Sequence, residues 1–161
     1  MTDKTELSAP LSYTHFWATG PDNVEGKKWV SFCKDVRILF DQYPHMIYND
    51  QEVIITYGSK REVSFLAPRA GEFGHFSLTN TQAAFCFCRT DRQPIDLLVK
   101  ALLLSAKKNF GDWITLTSDG LWDDWQDAVD VCRSFVNLDD SAIQQAKQDF
   151  DVLLIPRPGK D

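Results

Sequence analysis

The run Ala83-Ala84-Phe85-Cys86-Phe87-Cys88-Arg89, the turn Thr90-Asp91-Arg92-Gln93-Pro94 and the stretch Ile95-Asp96-Leu97-Leu98-Val99-Lys100-Ala101-Leu102-Leu103-Leu104-Ser105-Ala106 decide the architecture. In the first segment Ala83, Phe85 and Phe87 share one face of an extended chain, and Ala84, Cys86 and Cys88 share the other. Both faces are apolar, so the segment predicts a strand in the middle of a sheet, covered on each side. Pro94 lacks an amide hydrogen and suits a first helical turn, where that donor has no partner. Beyond it Ile95, Leu98, Leu102 and Ala106 recur at helical spacing until Phe110-Gly111 closes the helix. Leu97, Ala101 and Leu104 widen the apolar surface, so this helix is expected at the centre of the core, with Leu98 and Leu102 nearly inaccessible.

Upstream, Leu11 to Thr19 alternates as a strand ending at Gly20-Pro21. Between Glu25 and Tyr43 the residues Trp29, Phe32, Cys33, Val36, Leu39 and Phe40 trace one helix face, closed by Pro44. Glu52 to Tyr57 and Arg61 to Leu66 read as a hairpin through Gly58-Ser59-Lys60, and Gly74 to Leu78 with Ala83 to Arg89 as a second around Thr79-Asn80-Thr81-Gln82. Downstream come a strand from Trp113 to Thr117, a turn at Ser118-Asp119-Gly120, and a third helix with Trp125, Ala128, Val129, Cys132 and Val136 inward. A short helix from Ser141 to Asp149 and an edge strand from Val152 to Ile155 follow. This order predicts an α+β fold: a single domain with a mixed, mainly antiparallel sheet of about six strands packed against three main helices. Residues 1–10 are expected to be a flexible arm, 11–155 the domain and 156–161 a flexible tail.

A chain of 161 residues with 43% hydrophobic and 25% charged residues builds one core and is neither disordered nor a disulfide miniprotein. Its net charge of −6 repels phosphate backbones and anionic membranes, so direct nucleic-acid binding is not expected. No run reaches the roughly 20 apolar residues of a membrane helix, and Met1 to Pro10 lacks the apolar core of a signal peptide. A cytoplasmic location follows, in which Cys33, Cys86, Cys88 and Cys132 stay reduced as small core residues. No metal is assigned to them, because two cysteines one residue apart on a strand are a poor zinc pair.

Signatures of phosphate-binding loops, dinucleotide folds, zinc proteases and serine hydrolases are absent, which weighs against an enzyme. His15, His45 and His75 lie far apart in sequence, and none stands beside a cysteine or serine in a recognisable nucleophile arrangement. Asp119, Asp123, Asp124, Asp127 and Asp130 form a dense acidic run at the start of the third helix. Capping and the helix dipole account for Asp123 and Asp124, but Asp127 and Asp130 lie past the first turn and only repel. With Trp122 beside them as an apolar anchor, they are the candidate face for a partner with a basic surface. Trp17, Trp113 and Trp122 stand near the ends of elements, where half-exposure is expected. Arg89 and Arg92, at the turn into the central helix, form with His75 the alternative site, for an anion or nucleotide ligand.

The order Phe87-Cys88-Arg89-Thr90-Asp91-Arg92-Gln93-Pro94-Ile95-Asp96, then Lys107-Lys108-Asn109-Phe110-Gly111-Asp112, Thr117-Ser118-Asp119-Gly120 and Asp124-Trp125 resembles a family of small uncharacterised proteins from bacterial and bacteriophage genomes. The resemblance covers about Ala83 to Val136, with a looser match at Tyr13-Thr14-His15-Phe16. It departs at Phe73-Gly74-His75-Phe76, where the family carries His-Glu-Thr-Phe. It brings no catalytic residues and no cofactor, and implies a compact accessory protein borne by a phage or prophage. Two readings follow. In the first the chain is a non-enzymatic acidic protein-interaction module that binds a host protein complex, including as an antagonist of host defence. In the second it is a small enzyme or ligand sensor working through Arg89, Arg92 and His75.

Overall fold

The computed structural model describes residues 13–44, 54–57, 61–66, 75–79 and 84–154. Its elements in chain order are β1 (Thr14–Thr19), α1 (Gly26–Gln42), β2 (Ile54–Tyr57), β3 (Arg61–Leu66), β4 (His75–Thr79), β5 (Ala84–Arg89), α2 (Ile95–Phe110), β6 (Ile114–Ser118), α3 (Gln126–Phe135) and α4 (Asp140–Leu154). Short 3-10 turns at Gly111–Trp113 and Trp122–Trp125 lead into β6 and α3. The arm 1–10, the tail 156–161, the turn Gly58-Ser59-Lys60 and His45 lie outside the described residues.

α2 is apolar around most of its circumference, and such a helix is stable only when surrounded. It packs against α1, α3, α4 and β6, and Leu98 and Leu102 are fully buried. Its polar residues Lys100, Ser105 and Lys107 are buried too, each hydrogen-bonded. Gly111 ends it with φ of +59°, a left-handed conformation that costs glycine least.

The strands form two antiparallel sheets of order β5-β1-β6 and β2-β3-β4, where one mixed sheet was expected. In the first, Trp17 stands opposite Cys86 and Leu116, and His15 opposite Cys88 and Ser118. In the second, Val63, Phe65, Phe76 and Leu78 are buried. Trp17 joins the two sheets by packing on Phe76 at 5.1 Å between ring centroids, and Phe40 of α1 meets Phe65 edge-on at 5.6 Å.

Several expectations are corrected. Among the described residues β5 lies at a sheet edge, paired with β1 alone, and the middle position falls to β1. The outer face of β5 misled the reading: Phe85 and Phe87 are 69% and 50% exposed and lean on Phe16 rather than on a covering layer. Among the described residues β4 pairs with β3 and β5 with β1, so the second expected hairpin is not seen as a strand pair. Trp17, expected near the surface, is fully buried. Among the described residues there are four α-helices rather than three main ones, and Val152 to Leu154 continue α4 instead of forming an edge strand. The spacing of Ala142, Ala146 and Phe150, all buried, carries the helical period that far. Among the described residues no helix is long and apolar enough to cross a membrane.

Candidate functional site

His15 belongs to the central strand, on the face turned toward the helices, and is completely buried. Its cross-strand neighbour on β6, Ser118, lies with Oγ 2.8 Å from His15 Nδ1. The other ring nitrogen, Nε2, lies 2.6 Å from Oδ1 of Asp96, in the first turn of α2. Thr90 donates its hydroxyl to the same Oδ1, and Lys100, one helical turn further on, sits 3.1 Å from Oδ2. Burial alone would push the Asp96 carboxyl up, but hydrogen bonds from His15 and Thr90 with the nearby positive charge outweigh it and hold the pKa at about 2. Asp96 is therefore an ionised acceptor with both oxygens occupied.

Two aromatic rings wall this corner. Tyr13 and Trp125 meet His15 edge-on at 5.1 and 5.0 Å. The Tyr13 hydroxyl and the Trp125 indole nitrogen are buried with no hydrogen-bond partner among the described residues. Gly120 comes so close to that hydroxyl that a Cβ there would sit 2.1 Å from it, which explains why glycine ends the Ser118-Asp119-Gly120 turn. Burial raises the Tyr13 pKa, and the negative charge of Asp96 adds to the effect.

Past Ser118 the surface opens into a groove of about 410 Å³, with Leu121, Trp122 and Phe150 supplying its apolar wall and Asp119, Asp123 and Asp151 its charge. Trp122 packs edge-on against Phe150 at 5.3 Å, and Leu121 is 62% exposed. The groove thus begins at the serine of the buried hydroxyl–imidazole–carboxylate chain.

The acidic run is distributed between structure and surface. Asp119 accepts the Thr14 amide at 3.0 Å, and Asp124 accepts the Leu121 amide at 2.8 Å. Asp127, which the sequence leaves without a structural task, pairs with Lys100 at 2.9 Å, and Lys100 also donates to the Asp124 carbonyl. Asp123 and Asp130 are exposed, and Trp122 is half-buried. The residues therefore share one end of the molecule, but the repulsion attributed to Asp127 is offset by a lysine from α2.

The Arg89-Arg92 turn is held by its own contacts. Arg89 Nε donates to both oxygens of Asp91 at 2.8 and 2.9 Å, and that hydrogen bond is the main reason the Asp91 carboxyl lies below its ordinary range. The guanidinium of Arg92 stacks over Tyr13 at 3.7 Å. Asp91 and Arg92 both adopt positive φ, 50° and 59°, and the turn is clamped by the Thr90 and Asp91 amides donating to the Tyr13 carbonyl. His75 is exposed on β4 in the other sheet. No contact among the described residues joins it to either arginine.

Cys33, Cys88 and Cys132 are buried thiols, and burial pushes them up to about 11, 12 and 12. Cys132 donates to the Ala101 carbonyl at 3.3 Å. Among the described residues no group of three or more metal-ligating side chains converges.

Sequence reasoning missed His15, Ser118, Asp96 and Lys100 as a unit. Their signal is the pairing register, which sets His15 of Tyr13-Thr14-His15-Phe16 against Ser118 of Thr117-Ser118-Asp119-Gly120, a hundred-odd residues apart. No local spacing carries it. Comparisons with family models, curated proteins and solved structures returned no match to this chain.

Proposed function

We propose that the chain is a protein-interaction module whose acid-rimmed groove receives a basic segment of a partner. The observation that carries this reading is the groove itself: an exposed Leu121 and the Trp122–Phe150 pair supply an apolar seat, and Asp119, Asp123 and Asp151 ring it with negative charge. An arginine or lysine side chain fits such a seat, laying its methylene stem on the rings and its cation against the rim. The resemblance to bacterial and bacteriophage proteins supports an accessory protein acting in the host cytoplasm, with a host complex, such as a defence assembly, as the partner. The reading through Arg89, Arg92 and His75 is not pursued, because both arginines are engaged and the histidine stands elsewhere.

Reversal of charge at Asp123 and Asp151 tests it. Among the described residues neither side chain shows a hydrogen bond or ion pair, unlike those of Asp119, Asp124 and Asp127. The chain should capture a basic peptide and quench Trp122 fluorescence, with binding that weakens as salt rises. The doubly reversed variant should lose capture while keeping its fold. Equal binding by both proteins overturns the reading.

A further inference from the structure

We infer that Ser118, His15 and Asp96 form a nucleophile, base and orienting carboxylate that catalyse acyl transfer from carboxylic esters bound in the groove. Three features carry the assignment. The hydrogen bonds run in one unbroken line, Ser118 Oγ to His15 Nδ1 at 2.8 Å and His15 Nε2 to Asp96 Oδ1 at 2.6 Å, which is the arrangement that activates a hydroxyl. The line also has a direction. Asp96 is ionised and can only accept, so Nε2 is the nitrogen that donates to it and Nδ1 is the nitrogen left to face the serine. Finally, the imidazole is completely buried while the serine is half-buried and lines the groove, so the base is shielded and the nucleophile borders the ligand space.

A purely structural network needs no such gradient, and the molecule contains one for contrast. At the far end of α2, Lys107 and Lys108 donate to backbone carbonyls and to Asp149 and Asp35, with neither an imidazole nor a groove. At the near end Thr90 and Lys100 occupy the remaining sites of Asp96, which fixes the carboxylate against the imidazole.

The step balances with water as co-reactant. Ser118 Oγ bonds to the carbonyl carbon and gives its proton to His15 Nδ1, while the carbonyl electron pair moves onto oxygen. The Gly120 amide donates to Ser118 Oγ at 2.9 Å and holds the hydroxyl oxygen at the mouth of the groove. Collapse breaks the bond to the leaving alkoxide, which takes a proton from water in the groove and leaves an ester on Ser118. The hydroxide so formed adds to that ester, and the carboxylic acid is released as the buried imidazolium, which faces Oγ and not the groove, returns its proton to Oγ. The apolar wall and acidic rim favour an acyl or alcohol portion that is apolar or cationic. Only that substrate preference rests on the groove reading above.

The test uses the full chain with a fluorophosphonate probe and p-nitrophenyl butyrate. One adduct per chain, mapped to Ser118, and a nitrophenolate burst of about one equivalent are expected. Ser118→Ala should abolish adduct and burst, and Asp96→Asn, which keeps the serine but releases the tautomer, should slow both at least ~100-fold. Circular dichroism of each variant establishes that it is folded. Peptide capture is measured on the wild-type chain beside the labelling, a readout that separates chemistry from docking. Absence of an adduct on the folded wild-type chain, or an adduct that persists in Ser118→Ala, overturns the inference whether or not the peptide binds. Labelling of Ser118 without peptide capture sustains it and removes the groove reading instead.

Discussion

The two ends of α2 each bury charge, and they do so differently. At the C-terminal end Lys107 donates to the Ile114 carbonyl at 2.7 Å and pairs with Asp149 at 2.9 Å, while Asp149 also accepts the Leu116 amide. Nearby, Asp35 of α1 gathers Ser105, Lys108 and Asn109 within 3.0 Å. These links tie α1, α4 and β6 to the helix end, where cations also oppose the negative pole of its dipole. At the N-terminal end the acid is on α2, the links pass through an imidazole and a serine, and buried aromatic polar atoms lack partners. One end is closed and holds the layers together. The other gives up some closure to keep a hydroxyl at the edge of a groove.

That contrast can be broken most severely at the closed end. Lys107→Met leaves Asp149, 15% exposed, without its lysine beside Leu116, and the loss of the buried partner of this ion pair should cost about 3 kcal/mol in urea unfolding. A cost below about 1 kcal/mol would mean that the two ends do not differ in structural weight.

Acid titration sharpens the contrast at the open end. The Asp96 pKa in the folded chain is about 2, below the ordinary 3.8, so the unfolded chain binds the extra proton. The associated stability is present above the ordinary value and is lost as pH falls through the folded one. For this nearly buried carboxylate the loss between pH ~4 and pH ~2 should be about 2 kcal/mol, and Asp96→Asn should remove that slope.

A similar or somewhat smaller effect is expected at Gly120. Gly120→Ala drives a methyl into the Tyr13 hydroxyl and should cost about 1–3 kcal/mol. Tyr13→Phe removes an oxygen that has no partner and should rescue much of the loss, so a double-mutant cycle far from additive is the expected outcome. The smallest effect belongs to the groove rim: Asp123→Lys with Asp151→Lys should shift stability by no more than about 0.5 kcal/mol per site, as measured by thermal melting.

The helices were legible because burial imposes a period that a single segment carries. Trp29, Phe32, Val36 and Leu39, or Ala128, Val129 and Cys132, reveal their faces without reference to the rest of the chain. The six described strands were legible for the same reason, and so was the local antiparallel pairing of β2 with β3, but partnership between distant strands was not. Phe85 and Phe87 look like core residues, yet they are 69% and 50% exposed and their described ring contacts are with Phe16. The site divides along the same line. The acidic cluster and Trp122 were visible as a local concentration, whereas Asp127's pairing with Lys100 and His15's meeting with Ser118 depend on where distant elements dock. The arginine turn was visible too, although its charge is spent on Asp91 and Tyr13.

The central position of β1 also sets a timetable for synthesis. It is the first described strand to be made, yet both of its neighbours, β5 and β6, come much later in the chain. At ribosomal rates of 5–20 residues per second, Trp17 and His15 emerge roughly 5–20 s before β6 exists to pair with them. Until then the nascent chain presents an unpaired, aromatic-rich segment, the kind of surface that trigger-type chaperones hold, and slowing elongation should lengthen that association in proportion.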